Sequence, residues 1–344
     1  MTLRTFPNLL ICGLCVAAVT AAGILLIAQA EPADYLTRPK VQAFINRMVS
    51  HYGFSKTKLR QLFGHVEQQE SALAAISRPA ESKPWYEYRE IFITPQRIQG
   101  GVQFWNENQD VLAKAEQVYG VPAAIIVAII GVESYYGRQG GDFPVFDTLA
   151  TLGFGYPPRA DFFRQELEQF LLLSREEHFD IPGVEGSYAG AMGMSQFISS
   201  SYRKFAVDFD GDGKRNLWGS PADAIGSVAN YFRVHGWRTG APVAFPAQVK
   251  GANTRSLVEL GLEPTIDVGR LASRGVKAQG RIDGGQRVAL LEYDIGSGMQ
   301  YWVGLNNFYV ITRYNHSSLY AMAVYQLSLA IEQARDSQLA DSDP

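Results

Sequence analysis

From Pro39 onward, apolar side chains recur with the period of a helix: Val41, Phe44, Ile45, Met48 and Val49 fall on one face. A second helix is expected near Ser55, a suitable N-cap, and carries Leu59, Leu62, Phe63 and Val66. Thr94-Pro95 opens a third in the cap-then-proline manner, running through Ile98 and Val102 toward Val118, with Gly120 as its stop. Pro122 opens AAIIVAIIGVESYYG, which is apolar nearly all round and is therefore expected to be a buried helix. Asp161 is placed to cap another, with Phe162, Phe163, Glu166, Leu167 and Phe170 in register. Ser220-Pro221 starts one more, ADAIGSVANYF, ending near Gly236.

After about residue 240 the texture changes. Val288, Leu290, Glu292 and Asp294 lie in a β-rich run, followed by Gly296-Ser297-Gly298 and Tyr301-Trp302-Val303. Asn306-Asn307 reads as a hairpin turn before a strand at Phe308-Tyr309-Val310-Ile311, which predicts a small antiparallel sheet across 240–313. A final helix from about Ser318 to Ala334 and a frayed tail over 336–344 complete the chain. Helices, an inserted strand block and a closing helix make an α+β protein.

Composition narrows the compartment and the chemistry. Arg4, an uncharged run from Leu9 to Ala28 and the small-residue site Ala28-Gln29-Ala30 make residues 1–30 a secretory signal peptide, cleaved before Glu31. An uncleaved membrane anchor is the alternative reading. Cys12 and Cys15 fall inside that segment and lack the preceding small residues that lipid attachment favours. Residues 31–344 hold no cysteine, so the mature chain has neither disulfides nor a thiol nucleophile. The histidines at 51, 65, 178, 235 and 316 are too scattered for a zinc motif. A net charge of −3 offers no basic field for nucleic acid.

Against that background, four groups of residues carry chemistry. Glu133 ends the apolar helix, where desolvation and the negative end of the helix dipole both favour its protonated form; that suits a general acid, although an exposed helix-end carboxylate has the same sequence. The stretch Gly186–Phe197, GSYAGAMGMSQF, brings backbone close to something bulky while Ser187 and Gln196 offer hydrogen bonds; tight helix–loop packing is the alternative. Asp208, Asp210 and Asp212 followed by Gly213 match the opening of an EF-hand loop, with Lys214 giving its backbone carbonyl. Gly219 stands where a bidentate Glu belongs and Arg215 where an apolar residue is usual, so a solvated Asx-rich turn remains open. Finally, Tyr231, Tyr314, Asn315 and Tyr320 are aromatic and amide groups near the end of the chain, Tyr314 and Asn315 falling where the last expected strand meets the final helix.

GVESYYG, SYAGAMGMSQF, ADAIGSVANYF and ITRYNHSSLYAMAVYQL, in that order, resemble the MltB family of lytic murein transglycosylases over nearly the whole mature chain. The resemblance implies a lysozyme-like, mostly helical core at 94–239, an additional helical domain at 31–93 joined by the C-terminal helix 318–335, and the small β domain at 240–313. It implies a periplasmic enzyme that cuts the β-1,4 bond between N-acetylmuramic acid and N-acetylglucosamine, with Glu133 as the single catalytic carboxyl. Ser187, Gln196, Phe197, Tyr231, Tyr314, Asn315 and Tyr320 become glycan contacts, as does Arg159 on the weaker match of TLGFGYPPR. Met194-Ser195 departs from the Tyr-Gly or similar pair that precedes the Gln in relatives. The resemblance also closes the acidic loop with Asp223 and makes calcium the expected ion, held with a modest Kd of about 10⁻⁴–10⁻³ M. No organic cofactor is expected. Peptidoglycan strands are the expected partner of a monomer, with wall-synthesis enzymes as candidate protein partners. A hydrolytic muramidase and a catalytically silent peptidoglycan-binding protein are the rival readings.

Overall fold

The computed structural model describes residues 35–77, 83–250 and 254–342; the expected leader at 1–30 lies outside them. The chain enters through α1 (Pro39–Tyr52), α2 (Lys56–Gly64), α3 (Glu70–Ile76) and α4 (Trp85–Phe92). Val41, Phe44, Ile45 and Met48 are the buried face of α1, and Gly53 ends it in the left-handed conformation at φ 69°. The Ser55 hydroxyl accepts from Lys58 N at 3.3 Å, capping α2 as its sequence predicts.

Thr94 caps the next helix by accepting from Arg97 N, with Pro95 at its first position. The single helix expected through to Val118 is instead two, α5 (Pro95–Glu107) and α6 (Gln109–Tyr119). The break is at Asn108, whose side-chain amide donates to Phe104 O at 2.8 Å and so competes for a carbonyl that a continuing helix would use. Then comes α7 (Ala123–Ser134), in which every residue is buried. No single helix among the described residues is long and apolar enough to cross a membrane; α6 and α7 qualify by length only together, and they are bent by 113°.

Strand β1 (Phe143–Pro144) pairs antiparallel with β2 (Glu185–Gly186), tying the chain beyond α7 to the start of the glycine-rich loop. Between them run α8 (Val145–Gly155) and α9 (Ala160–Glu176). Asp161 does not cap α9: it lies in the first turn and pairs with Arg164, while Arg159 holds the cap position without a side-chain bond. A charged pair within the helix has taken the carboxylate that a cap would need. Two further helices, α10 (Ser199–Phe205) and α11 (Pro221–Val234), flank the acidic loop, and Ser220 caps α11 by accepting from Asp223 N.

The β-rich block holds β3 (Ala244–Val249), α12 (Arg255–Val258), β4 (Ile266–Asp267), α13 (Val268–Ser273), β5 (Val276–Ala278), β6 (Arg287–Asp294) and β7 (Met299–Gly304). The five strands form an antiparallel sheet in the order β4-β6-β7-β3-β5. Alternation along β6 serves two cores: Val288 and Leu290 join a small local cluster, whereas Ala289, Leu291 and Tyr293 join the main helical core. The hairpin and strand expected from Asn306 are in fact a helix, α14 (Asn306–Tyr314). Buried Asn307 explains it, accepting from Arg238 N and donating to Arg238 O and Ala241 O, each at 2.9 Å. With that corner pinned, Phe308, Ile311 and Tyr314 fall at helical spacing on the core, and tertiary packing overrides the β propensity of the run. The last helix, α15 (Ser318–Ser342), extends through the stretch expected to fray, where Arg335 donates to Asn106 and Gln109 and Gln338 to Gln99.

Candidate active site

Glu133 is the last carboxyl-bearing residue of α7, only 8% exposed, with Ile129, Ile130 and Val132 buried before it. Tyr320 of α15 donates its hydroxyl to Glu133 Oε1 at 2.5 Å, so the two helices jointly hold the carboxyl. The family resemblance implied a glycan contact for Tyr320; the structure sets its hydroxyl on the catalytic candidate. Ser134 was missed by sequence reasoning. Its buried hydroxyl lies 2.7 Å from Met194 O and 3.2 Å from Ile130 O and accepts from Gly137 N, fastening the glycine-rich loop to the end of α7. A hydroxyl at the end of a helix that is otherwise apolar all round was the available signal.

The chain leaves α7 through Tyr135 and Tyr136, both left-handed at φ 52° and 62°. The Tyr136 hydroxyl donates to Arg97 O at 2.7 Å, and its ring lies against Gly131, where a Cβ would come within 2.6 Å of it. The glycine of the IIGVES run thus makes room for the ring that bends the chain back.

In the glycine-rich loop, Met192 and Phe197 exchange backbone hydrogen bonds at 2.9 and 3.1 Å, closing a tight turn. Gly193 sits at its tip at φ 71°, where a Cβ would meet Leu217 O at 2.5 Å. Ser187 Oγ accepts from Ala189 N and Ala191 N, which leaves its proton to donate. Gln196, at φ 47°, spends its amide nitrogen on Gly140 O and Gly193 O at 2.9 and 3.0 Å and keeps Oε1 as an acceptor.

Phe197, Tyr231 and Tyr314 form a packed aromatic layer below this loop, with ring centroids 4.8–5.8 Å apart. All three are buried, and the two hydroxyls are used inside the protein: Tyr231 donates to Arg313 O and Tyr314 to Ser195 O. His235 stacks on Tyr231 at 4.0 Å, and burial holds its imidazole below the usual histidine range. Asn315, next in the chain, is buried with its Oδ1 unpartnered. Arg159 is stacked over Phe162 and Phe163 and within electrostatic reach of Tyr188, the neighbour of Ser187.

In the loop between α10 and α11, oxygens of Asp208, Asp210 and Asp212 lie within 4.8 Å of one another. Asp208 accepts from Gly211, Asp212 and Gly213 N, which wraps the backbone around the carboxylates. The Ser220 hydroxyl bond to Asp210 holds that carboxyl below its usual range. Lys214 is exposed on the same loop. Asp223 is not in this cluster: it is buried, with Oδ1 accepting from Phe209 N at 2.7 Å and Oδ2 from Asn216 N at 2.8 Å. From the first turn of α11 it braces the loop through these backbone amides.

The sequence matches the transglycosylase SLT domain family over residues 37–329. It is 46% identical over 312 residues to the membrane-bound lytic murein transglycosylase B of Escherichia coli (strain K12), covering 88% of this chain and 85% of that one. Among solved structures it is similar to the catenated lytic transglycosylase SltB1 of Pseudomonas aeruginosa, with 53% identity, TM-score 0.84, and 88% of this chain and all of that chain covered. The lytic transglycosylase Slt35 of Escherichia coli, solved in complex with calcium, gives 47% identity and a TM-score of 0.81 over 88% of this chain and 95% of that chain. A family match over most of the chain, together with relatives of this identity and coverage, means that the chain belongs to the transglycosylase SLT family and is a lytic transglycosylase of peptidoglycan.

Proposed function

We propose that the enzyme cuts the β-1,4 bond between N-acetylmuramic acid and N-acetylglucosamine with Glu133 as its single acid and base, leaving a 1,6-anhydromuramoyl end. The observation that carries this is the disposition of the buried carboxylates among the described residues. Glu166 accepts from Ser200 N, Glu168 binds Arg47 and Tyr52, and Asp223 braces the acidic loop; of these four only Glu133 adjoins the glycine-rich loop, its neighbour Ser134 bonding Met194 O. A hydrolytic glycosidase ordinarily works with two carboxyls about 5–9.5 Å apart. With one, the nucleophile comes from the sugar. Glu133 gives its proton to the bridging oxygen, and the C1–O bond breaks toward the N-acetylglucosamine. The muramoyl acetamido oxygen closes on C1 as an oxazolinium. The Glu133 carboxylate then takes the proton of the C6 hydroxyl, O6 forms its bond to C1, and the acetamido group is released. No water is consumed. Ser187, as donor, and Gln196, as acceptor, orient the glycan; Asn315 and Arg159 complete the groove, and Phe197, Tyr231 and Tyr314 support its floor. Mass spectra of digested sacculi decide the matter. Muramoyl products lighter by one water than a muramidase's are expected, and Glu133→Gln loses nearly all turnover while still binding glycan. Reducing muramic acid ends from the wild type would overturn it.

The oxygen-only donor set of Asp208, Asp210 and Asp212, converging with like charge, fits calcium, with the Lys214 carbonyl completing the loop-side ligands. Bound there, the ion neutralises carboxylates and stiffens the loop between α10 and α11. Asp223 supports it from below. Export by the segment ending at Ala30 places the enzyme in the periplasm; sequencing of the mature N-terminus is expected to begin at Glu31, and an intact Met1 in the membrane fraction would count against cleavage.

A further inference from the structure

Beyond residue 30 the chain has no cysteine, so its only sulfur is in the thioethers of Met48, Met192, Met194, Met299 and Met322. Met48, Met192 and Met322 are wholly buried, and Met299, 55% exposed, lies on β7 in the sheet. Met194 differs from both groups. It is half-buried, the one side chain from Ala191 to Ser199 that the fold leaves open to solvent, and it belongs to the Met-Ser pair that sets this loop apart from its relatives.

Its surroundings tie it to Glu133. The backbone is held on both sides, with Met194 N donating to Leu217 O and the Ser134 hydroxyl reaching Met194 O, each at 2.7 Å. The side chain lies over the turn that follows α7: a Cβ on Gly137 would stand 3.1 Å from Met194 Cγ and 3.3 Å from its Sδ and Cε. Gly137 N in turn donates to Ser134 Oγ at 3.0 Å. Ser134, Gly137 and Met194 therefore close a small circuit immediately after the catalytic candidate. Two of its links are hydrogen bonds, and the third is an apolar contact made by the thioether.

We propose that Met194 is a site of oxidative modification and that its sulfoxide slows the enzyme by opening this circuit. The oxidant is a peroxide. A sulfur lone pair attacks one oxygen of hydrogen peroxide, an S–O bond forms and the O–O bond breaks. The leaving hydroxide takes the proton of the transferred hydroxyl, so thioether and peroxide become sulfoxide and water. The product is polar and chiral where the thioether was apolar and flexible. The N–H of Gly137 is already spent on Ser134, so the new dipole finds no donor there and the side chain swings out to water. The effect on turnover rests on Glu133 as the acid proposed above; the modification itself does not.

The whole enzyme is treated with graded hydrogen peroxide and divided between peptide mass mapping and digestion of sacculi. One added oxygen is expected on Met194 and one on Met299, with none on Met48, Met192 or Met322. Turnover falls about tenfold in step with the Met194 sulfoxide while the melting transition is kept, since small displacements of orienting groups cost that much or more. Methionine sulfoxide reductases acting on both epimers restore it. Each variant is measured against its own untreated rate: Met299→Leu loses activity as the wild type does, and Met194→Leu resists. A Met194 no more reactive than buried Met192 overturns the site. Unchanged turnover at full Met194 oxidation, or an equal loss in Met194→Leu, overturns the effect. Glu133→Gln without peroxide judges the acid separately, so failure of that reading is seen apart from failure of this one.

Discussion

The carboxyl that the reaction needs is held from 187 positions away, since Tyr320 of α15 donates to Glu133 of α7. Tyr320→Phe removes that hydroxyl and keeps the buried ring. Stability is expected to fall by about 1 kcal/mol, one hydrogen bond's net worth, while kcat drops roughly tenfold or more and KM changes little. A raised KM at unchanged kcat would instead put Tyr320 on the sugar, as the family resemblance implied. Glu133 was legible because it is the one carboxyl in a helix otherwise apolar all round, and Ser187 and Gln196 because glycines mark their loop. The Tyr320 contact was not. It depends on where α15 crosses α7, and no local pattern encodes a crossing.

Elements were read well where a cap or a proline punctuates them and badly where a side chain reaches into the backbone. Ser55, Thr94 and Ser220 start their helices as expected. Asn108 breaks one helix and Asn307 starts another, each through amide bonds to carbonyls whose location only the fold supplies. The acidic loop shows the same division: the alternation of Asp208, Asp210 and Asp212 marks a cluster, while the turn of α11 directs Asp223 to amides beneath it. Calcium is expected to raise the melting temperature of the wild type with the logarithm of its concentration above Kd, with no such rise in Asp210→Ala. Because Asp210 is exposed, that variant keeps its fold without the ion. An equal rise in both proteins would refute the site. Asp223→Ala is the more damaging change even without calcium, since it strands buried amides at Phe209 and Asn216.

At the scale of the whole molecule, α15 is what joins the parts. It packs on α7, α5, α4 and α14, so the catalytic helix, the entering helices and the end of the β-rich block share one wall. Tyr320, Met322, Val324, Leu327 and Ile331 are wholly buried along it. At about 1.5–3 kcal/mol each they contribute on the order of 10 kcal/mol, comparable with the entire stability of a typical domain. A chain ending at Ser317 is therefore expected not to fold, seen as loss of the cooperative melting transition and of soluble protein. The end of the same helix behaves differently. Beyond Ala334 its contacts are exposed polar bonds from Arg335 and Gln338, together with Arg335 stacked on Trp105 at 4.9 Å. Bonds of that kind are worth under about 1 kcal/mol apiece. A chain ending at Ala334 should keep its activity on sacculi and melt only a few degrees lower, about 2–4 °C per kcal/mol lost in a protein of this size. Activity lost with the last turns of α15 would mean that their bonds to α5 and α6 do more than add stability; a folded, active chain ending at Ser317 would remove Tyr320 from the mechanism altogether.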